Sequence, residues 1–419
     1  MVQRKVTYRL YPTRRQIEAL ERLRWVHCLL WNTALDQRRS TWREAQVSLS
    51  FADQCKVLTG WRAQSSLLRS VNAQSEQVTL KRLDEAFQRF FRRVKRGEKP
   101  GFPRFKSLHR FKGWGYKSHG DGWRLLAGPG MKHGKLRLSG LGEVRIRGRA
   151  RTPGEPKTCE ILYRRGKWYA SVTVECEPVR RHGERIGGLD WGVETFATIA
   201  SPEGMIRIEN PRHLDRSLER IRAVQKSISR KEEAAKKARG KPKGFPVSNR
   251  LKKAYEKLRR LHEKVACQRK DFLHQNSAWI VATFAVLGLE PLNIRGMTAS
   301  GGAYKRGLNR GILDAAGGLF HSLLRYKAAE AGAWAMEANT RQIKPSQRCH
   351  QCWRVDEENK KKLPDRWHTC RFCGASCSRD ENAARVLWRW MEEQLSGREP
   401  AEAWREVSPA GLPGQPALP

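Results

Sequence analysis

At 419 residues the chain is too long for one ordinary hydrophobic core and implies two to four domains. Hydrophobic residues make up 39% of it, which argues against wholesale disorder, and 83 Lys and Arg against 42 Asp and Glu leave a net charge of +41. Such an excess repels itself unless a polyanion offsets it. A nucleic acid bound by counterion release fits better than a basic solubility face, because the charge runs through nearly every segment.

No secretory signal opens the chain, since Met1–Tyr11 has no apolar core. The longest apolar run, Ala278–Leu289, falls short of the roughly 20 residues a membrane span needs. Five of the ten cysteines lie scattered (Cys28, Cys55, Cys159, Cys176, Cys267) and five cluster near the C-terminus, which favours a metal over disulfides. A cytoplasmic protein is expected.

Lys5–Tyr11 alternates as a strand, Pro12 ends it, and Thr13-Arg14-Arg15-Gln16 has capping-box spacing. Ile17, Leu20 and Leu23 then begin a helical pattern that continues to about Arg96. Leu83, Ala86, Phe87, Phe90, Phe91 and Val94 share one helix face and predict core packing. Lys81, Arg82, Arg89, Arg92 and Arg93 on the opposite face are candidate phosphate contacts. In the loop Lys99–Lys112, basic residues interleave with aromatics, as suits stacking on unpaired bases, or a loop pinned to its neighbours by those aromatics. Short β patterns follow at Lys135–Ser139, Glu143–Arg147, Thr158–Tyr163 and Lys167–Glu177. With the first strand they suit a small β-barrel enclosing the helices as an insertion.

From Glu184 the pattern changes. Arg185–Trp191, Glu194–Ala200 and Met205–Glu209 read as three strands, the last two joined by a tight turn at Ser201–Gly204. Leu214, Leu218, Ile221, Val224 and Ile228 form one helix stripe, and Leu251, Tyr255, Leu258, Leu261 and Val265 another. The turn Lys241–Pro246 would join them into a basic helical hairpin. An apolar strand leading into Glu290, a helix at Leu319–Ala331, a strand at Ala333–Ala338 and a helix at Asn382–Leu395 complete an RNase H-like α/β core. The proline-rich tail Gly397–Pro419 is expected to be disordered.

Three acids stand at chemically telling places. Asp190 follows Gly187-Gly188-Leu189 in an apolar strand, where glycines permit close backbone approach. Glu290 emerges from an apolar strand that Pro291 terminates. Asp380 opens a helix, where the dipole favours a carboxylate. One strand acid alone is usually structural, but three converging carboxylates would repel unless a hard cation neutralised them. Mg²⁺, one ion or two, suits that donor set and phosphodiester hydrolysis. Separately, Cys349-x-x-Cys352 and Cys370-x-x-Cys373, seventeen residues apart, have the spacing of a four-cysteine structural Zn²⁺ site. His350, His368 and Cys377 lie nearby, and Cys377 could replace a ligand.

With "GLDWGVETFATIA", "LGLEPLNIRGM", the cysteine pairs and "SRDENAA" in that order, the chain resembles the transposon-encoded TnpB nucleases and the compact type V CRISPR effectors related to them. "YRLYPTRRQ", "RLDEAFQRFFRR" before "GFPRF", and "LLRYKAAEAG" extend the resemblance over nearly all of the chain except the tail. The resemblance implies a wedge β-barrel (1–12 and 113–182) with an inserted α-helical recognition domain (13–112). It further implies a RuvC-like nuclease core (183–345 and 378–396), interrupted by a zinc-binding segment (346–377) and followed by the tail (397–419). An RNA-guided DNA endonuclease is implied: a bound guide RNA, double-stranded target DNA recognised beside a short adjacent motif, and Mg²⁺-dependent cleavage at a site formed by Asp190, Glu290 and Asp380. A monomer is favoured. Three positions depart from the family pattern: Ser378 and Pro291 stand where acids are common, and Trp353 where glycine is usual. The alternatives are an RNA-independent transposase or resolvase with the same carboxylate core, and an RNA-guided repressor that does not cut.

Overall fold

The computed structural model of the protein describes residues 1–239, 248–299, 301–357 and 365–396. The expected hairpin turn at 241–246 and the tail from 397 lie outside the described residues. The chain divides into two compact units, Met1–Val179 and Arg180 onward. No helix among the described residues is long and apolar enough to cross a membrane.

In the first unit, β1 (Val2–Tyr11) alternates as expected and buries Val6, Tyr8 and Leu10. The capping box forms at the next element: Gln16 N donates to Thr13 Oγ1 (3.3 Å) and Thr13 N to Gln16 Oε1 (3.0 Å). It opens a single long helix, α1 (Arg14–Ala45). Helices α2 (Phe51–Gln64), α3 (Ser66–Arg69) and α4 (Ala73–Lys95) follow. Strands β2 (Gly113–Tyr116), β3 (Trp123–Gly128), β4 (Lys132–Leu138), β5 (Gly142–Arg149), β6 (Glu155–Arg164) and β7 (Lys167–Cys176) complete the unit. With β1 they make a seven-stranded sheet in the order β2-β6-β7-β1-β5-β4-β3. Its pairing runs from edge to edge without joining β2 to β3, so among the described residues it is an open sheet and not a closed barrel. Two of its strands, β2 and β3, escape the periodicity argument because they are short and rich in Gly and Trp.

The α4 stripe is only half core. Leu83 and Phe87 are buried, but Phe91 is 57% exposed and Val94 49%. Arg82 is not free for phosphate: it pairs with Glu160 (2.9 Å) and donates to Gly113 O (3.2 Å), whereas Arg89, Arg92 and Arg93 face solvent. The aromatic loop is pinned to the helices. Trp31 Nε1 donates to Arg104 O (3.2 Å), Asn32 exchanges hydrogen bonds with the Lys106 backbone (2.9 and 2.8 Å), and Phe102 meets Phe87 and Phe90 edge-on.

The second unit is built on a five-stranded sheet. Strands β8 (Arg185–Trp191), β9 (Thr195–Ser201) and β10 (Gly204–Glu209) form an antiparallel meander. Helices α5 (His213–Arg239) and α6 (Asn249–Thr283) pack on each other through Val224, Ile228, Leu251 and Ala254. Helix α6 runs well past the last residue of its expected stripe and ends only where β11 (Phe284–Leu289) begins. Short helices α7 (Ile294–Thr298) and α8 (Arg306–Ala315), helix α9 (Gly317–Ala331), β12 (Trp334–Glu337) and α10 (Thr340–Ile343) follow. Last come the hairpin β13 (Trp367–Thr369) and β14 (Ser376–Ser378), and α11 (Arg379–Ser396). The sheet order is β10-β9-β8-β11-β12, with β11 parallel to both β8 and β12.

Strand alternation decides what each face of this sheet meets. Leu189, Leu287 and Leu289 share one core with residues of α6 and α9. Gly188 and Gly288 are the glycines on the other face, where α11 lies directly on them. A Cβ at Gly188 would fall 2.1 Å from Trp388 N and 2.3 Å from Ala384 O, and one at Gly288 would fall 2.7 Å from Leu387 O. These are backbone atoms that cannot step aside, so the helix is admitted only because both strands lack a side chain there. Gly188→Ala must therefore push α11 outward, with an expected loss of about 1–3 kcal/mol or more of stability, as for other overpacked cores. Thermal melting checks this; an unchanged melting temperature would mean the helix does not sit on the strand.

Candidate active site and metal centre

The same packing brings the three sequence-chosen acids together. Leu189 pairs with Leu289 in the parallel register, so Asp190 and Glu290 are the next residues on neighbouring strands. Each lies two residues beyond its glycine and points to the same face, about 6.6 Å further along the strand. Asp380 lies four residues before Ala384, about 6 Å back along the helix. It stands in the first turn of α11, whose positive dipole end faces the strand ends.

The electrostatics reflect this convergence. Burial of the Asp190 carboxyl pushes its pKa well above the usual carboxylate range, the charges of Glu290 and Asp380 raise it further, and Arg379 opposes them. Burial also raises Glu290, again against Arg379. The three acids adjoin without closing into one tight ligand set. Among the described residues, the four cysteines are the one group of three or more such side chains with ligand atoms within 4.8 Å of each other. Mutual repulsion opposes closer approach of the carboxylates.

A polar cavity of about 230 Å³ opens beside Asp380, lined by Glu194, Thr195, Thr198, Arg207, Arg366 and Ser378. Arg207 pairs with Glu381 (3.2 Å) and Arg366 with Glu194 (3.1 Å). Of these neighbours only Ser378 was singled out from sequence, as a departure from the family pattern. Arg207 lies on an alternating strand and Arg366 inside the zinc-type segment, and neither location marks a site residue.

The four cysteines fit zinc. Cys349 Sγ lies 3.7 Å from Cys373 Sγ, and Cys352 Sγ 3.6 Å from Cys370 Sγ. Tetrahedral thiolates at about 2.3 Å from zinc sit about 3.8 Å apart, so little movement is needed to close the shell. Without a metal the thiols divide: burial raises Cys349 and Cys352, while Cys370, raised by its own burial, is drawn down overall by the backbone N–H groups of Phe372 and Cys373. Cys377 does not replace a ligand: it pairs with His368 across the β13–β14 hairpin and lies outside the cluster. His350 is outside it too, with its ring against Asn382 Oδ1 (3.1 Å) and Arg385 Nη1 (3.2 Å). Trp353 has φ +65°, the left-handed conformation that glycine adopts without strain. The guanidinium groups of Arg348 and Arg389 lie 4.9 and 4.6 Å from its ring centre, a cation–π clasp that offsets the strain.

Comparison with known proteins accords with this geometry. A family profile described as a probable transposase matches residues 169–301, and one described as a Cas12f1-like TNB domain matches 318–387. A helix-turn-helix profile matches 1–46, where the structure has a strand and then one unbroken helix. A protein of Streptomyces pristinaespiralis named "Putative RNA-guided DNA endonuclease" is 31% identical over 92% of this chain and 89% of its own length. InsQ of Escherichia coli K12, described in the same words, is 25% identical over 91% of this chain and 90% of its own. The CRISPR-associated endodeoxyribonuclease Cas12f1 of Sulfoacidibacillus thermotolerans is 24% identical over 76% of each chain. The second unit is an α/β core whose four clustered cysteines could hold a metal. The chain belongs to the TnpB family, that of the RNA-guided DNA endonucleases it matches.

Two measurements follow. Cys349→Ser or Cys370→Ser should take zinc from about one ion per chain toward none and lower the melting temperature with it, because metal binding and local folding are one equilibrium. Elemental analysis alongside thermal melting reads both, and a zinc-free protein with unaltered melting would refute the site. The second concerns pH. An acid whose folded pKa is raised binds more protons folded than unfolded, so stability falls as pH climbs from the ordinary Asp range through the raised value. Asp190 is such a group, and Mg²⁺ should relieve the strain of ionising it. The rise in melting temperature on adding Mg²⁺ should therefore grow from mildly acid to mildly alkaline pH and shrink in Asp190→Asn. An increment independent of pH would count against a metal at Asp190.

Proposed function

We propose that this chain is an RNA-guided DNA endonuclease whose cleavage depends on Mg²⁺ held by Asp190, Glu290 and Asp380. One observation carries the site: Asp190 and Glu290 are adjacent in register on neighbouring parallel strands, and α11, laid on the glycines before them through Ala384, Leu387 and Trp388, brings Asp380 of its first turn beside them. The strand order, with a meander followed by two parallel strands, supports reading the second unit as an RNase H-like, RuvC-type core. The seven-stranded sheet and its helices suit the wedge and recognition roles, the four cysteines a structural zinc.

The bound ions would supply a hydroxide nucleophile and neutralise charge on the phosphate and the leaving 3′ oxygen. The protein's own residues do the rest. Asp190 and Glu290 give up their protons to become donors, which their raised pKa values make sensitive to pH and to metal. Arg379 favours their charged forms, and Arg207 and Arg366 line the cavity through which a phosphate backbone can approach Asp380. The guide RNA and the displaced strands would lie along the basic surfaces, among them Arg89, Arg92 and Arg93 of α4 and Lys252 and Lys253 of α6. Pairing with the guide would select the target while the protein reads a short adjacent motif.

Asp190→Ala removes a ligand that acts in the chemical step and not in pairing. Cleavage of a matched duplex by the guide-loaded protein should fall about 10³-fold, the equivalent of several kcal/mol of metal-assisted stabilisation. Guide and target binding should be retained. If the variant still cuts, the carboxylate site is wrong; if the parent protein cuts after its RNA is digested away, guidance by RNA is wrong.

A further inference from the structure

The amide of Asn382 is fully buried two residues beyond Asp380, in the first turn of α11. Every polar atom of its side chain has a backbone partner in the first cysteine knuckle or just before it. Its Nδ2 donates to Arg348 O (2.7 Å) and Pro345 O (3.3 Å), and its Oδ1 accepts from His350 N (3.1 Å). Arg348 and His350 are the two residues flanking Cys349. Further along the helix, Arg385 Nη1 donates to His350 Nε2 (3.2 Å) and Arg389 Nη1 to His350 O (3.2 Å) and Gln351 O (2.8 Å). Positions 382, 385 and 389 follow the i, i+3, i+7 spacing of one helix face. That face grips one short stretch, Pro345–Gln351, which runs into the first cysteine knuckle.

We propose that Asn382 is a positioning residue that locks the zinc knuckle onto the helix bearing Asp380, so that zinc occupancy sets where that carboxylate stands. The inference rests on reading Asp380 as a Mg²⁺ ligand. The knuckle's shape depends on its metal, since the thiolates that would close it are brought together by zinc. The Asn382 amide is the piece common to knuckle and helix, because it bonds both backbone groups that flank Cys349 and stands half a turn from Asp380. An amide that only filled space would need no such pair of directed contacts. Loss of zinc would then reach the cleavage site through the first turn of α11.

The test uses the full chain with its guide RNA and two variants, Asn382→Ala and Arg389→Ala. Three quantities are read: zinc per chain, Mn²⁺ binding followed by electron paramagnetic resonance without DNA, and the Mg²⁺ concentration giving half-maximal cleavage. Asn382→Ala should keep its zinc and guide RNA, yet weaken Mn²⁺ binding and raise the half-maximal Mg²⁺ about tenfold or more, as loss of groups that orient ligands does elsewhere. High Mg²⁺ should restore part of the rate. Arg389→Ala, whose side chain lies nearer the surface, should shift both in the same direction by less. If Asn382→Ala does not fold, Arg389→Ala decides alone. Wild-type Mn²⁺ affinity and Mg²⁺ dependence in the folded variants would overturn the proposal, even if their melting temperatures fall. Asp380→Ala is the reference: if it too binds Mn²⁺ normally, the carboxylate reading fails, whereas its loss of binding beside a normal Asn382→Ala condemns the clamp alone.

Discussion

Like charges do not gather unaided, and the second unit is organised around making three of them do so. Asp190 and Glu290 are desolvated at the ends of two neighbouring strands, where ionising both is unfavourable. Their position follows from hydrogen-bond register, and register is rigid because a one-residue slip would turn the Leu189 and Leu289 side chains out of the core. The third acid arrives on a helix that must approach the sheet closer than any Cβ would allow. Gly188 and Gly288 are therefore as much a part of the proposed site as the carboxylates. The glycine two residues before each acid determines how near the helix N-terminus can come.

The zinc-type segment fits the same logic. It is inserted between β12 and α11, the one connection that can fix the start of α11 independently of the sheet. A short loop with few apolar residues has little with which to hold itself, and four thiolates supply what a core would. Trp353 shows how far the segment relies on its neighbours. A tryptophan occupies a left-handed position that glycine takes freely, and Arg348 and Arg389 close over its ring. The glycine-free knuckle is thus tied more tightly to α11, because the clasping Arg389 belongs to that helix.

Much of this was legible in the sequence because it rests on local physics. The capping box at Thr13 and Gln16, the alternation of β1, the meander of β8 to β10 and the cysteine spacing each depend on a few residues with one preferred arrangement. The three acids were chosen from the sequence for their coincidence, since one strand acid alone is usually structural, and the fold places them near one another. What was hidden depends on tertiary pairing. Arg82 read as a phosphate contact because its helix face is basic, and only folding shows Glu160 opposite it. The barrel reading rested on five of the seven strands; it missed β2 and β3, the two edges that stay unpaired with each other. Cys377 lay close in sequence to the metal pairs, yet strand alternation turns it toward His368.

The net charge of +41 bears on these local arrangements in a way no single contact reveals. A surface so basic raises the local concentration of polyanion and lowers that of free divalent cations, because both respond to the same positive potential. A cluster of acids is a place on such a protein where a divalent ion would gain over the bulk. The Arg207–Glu381 and Arg366–Glu194 pairs partly cancel two of the arginines lining the cavity beside Asp380, which weakens the positive potential there. Arg92, Arg93 and Lys252 of α4 and α6 are exposed, and on the proposed reading their field would act on phosphate. On the proposed reading, basic surface and acidic site are two parts of one electrostatic arrangement: the first would gather nucleic acid, and the second would reserve a small region where metal can compete for it.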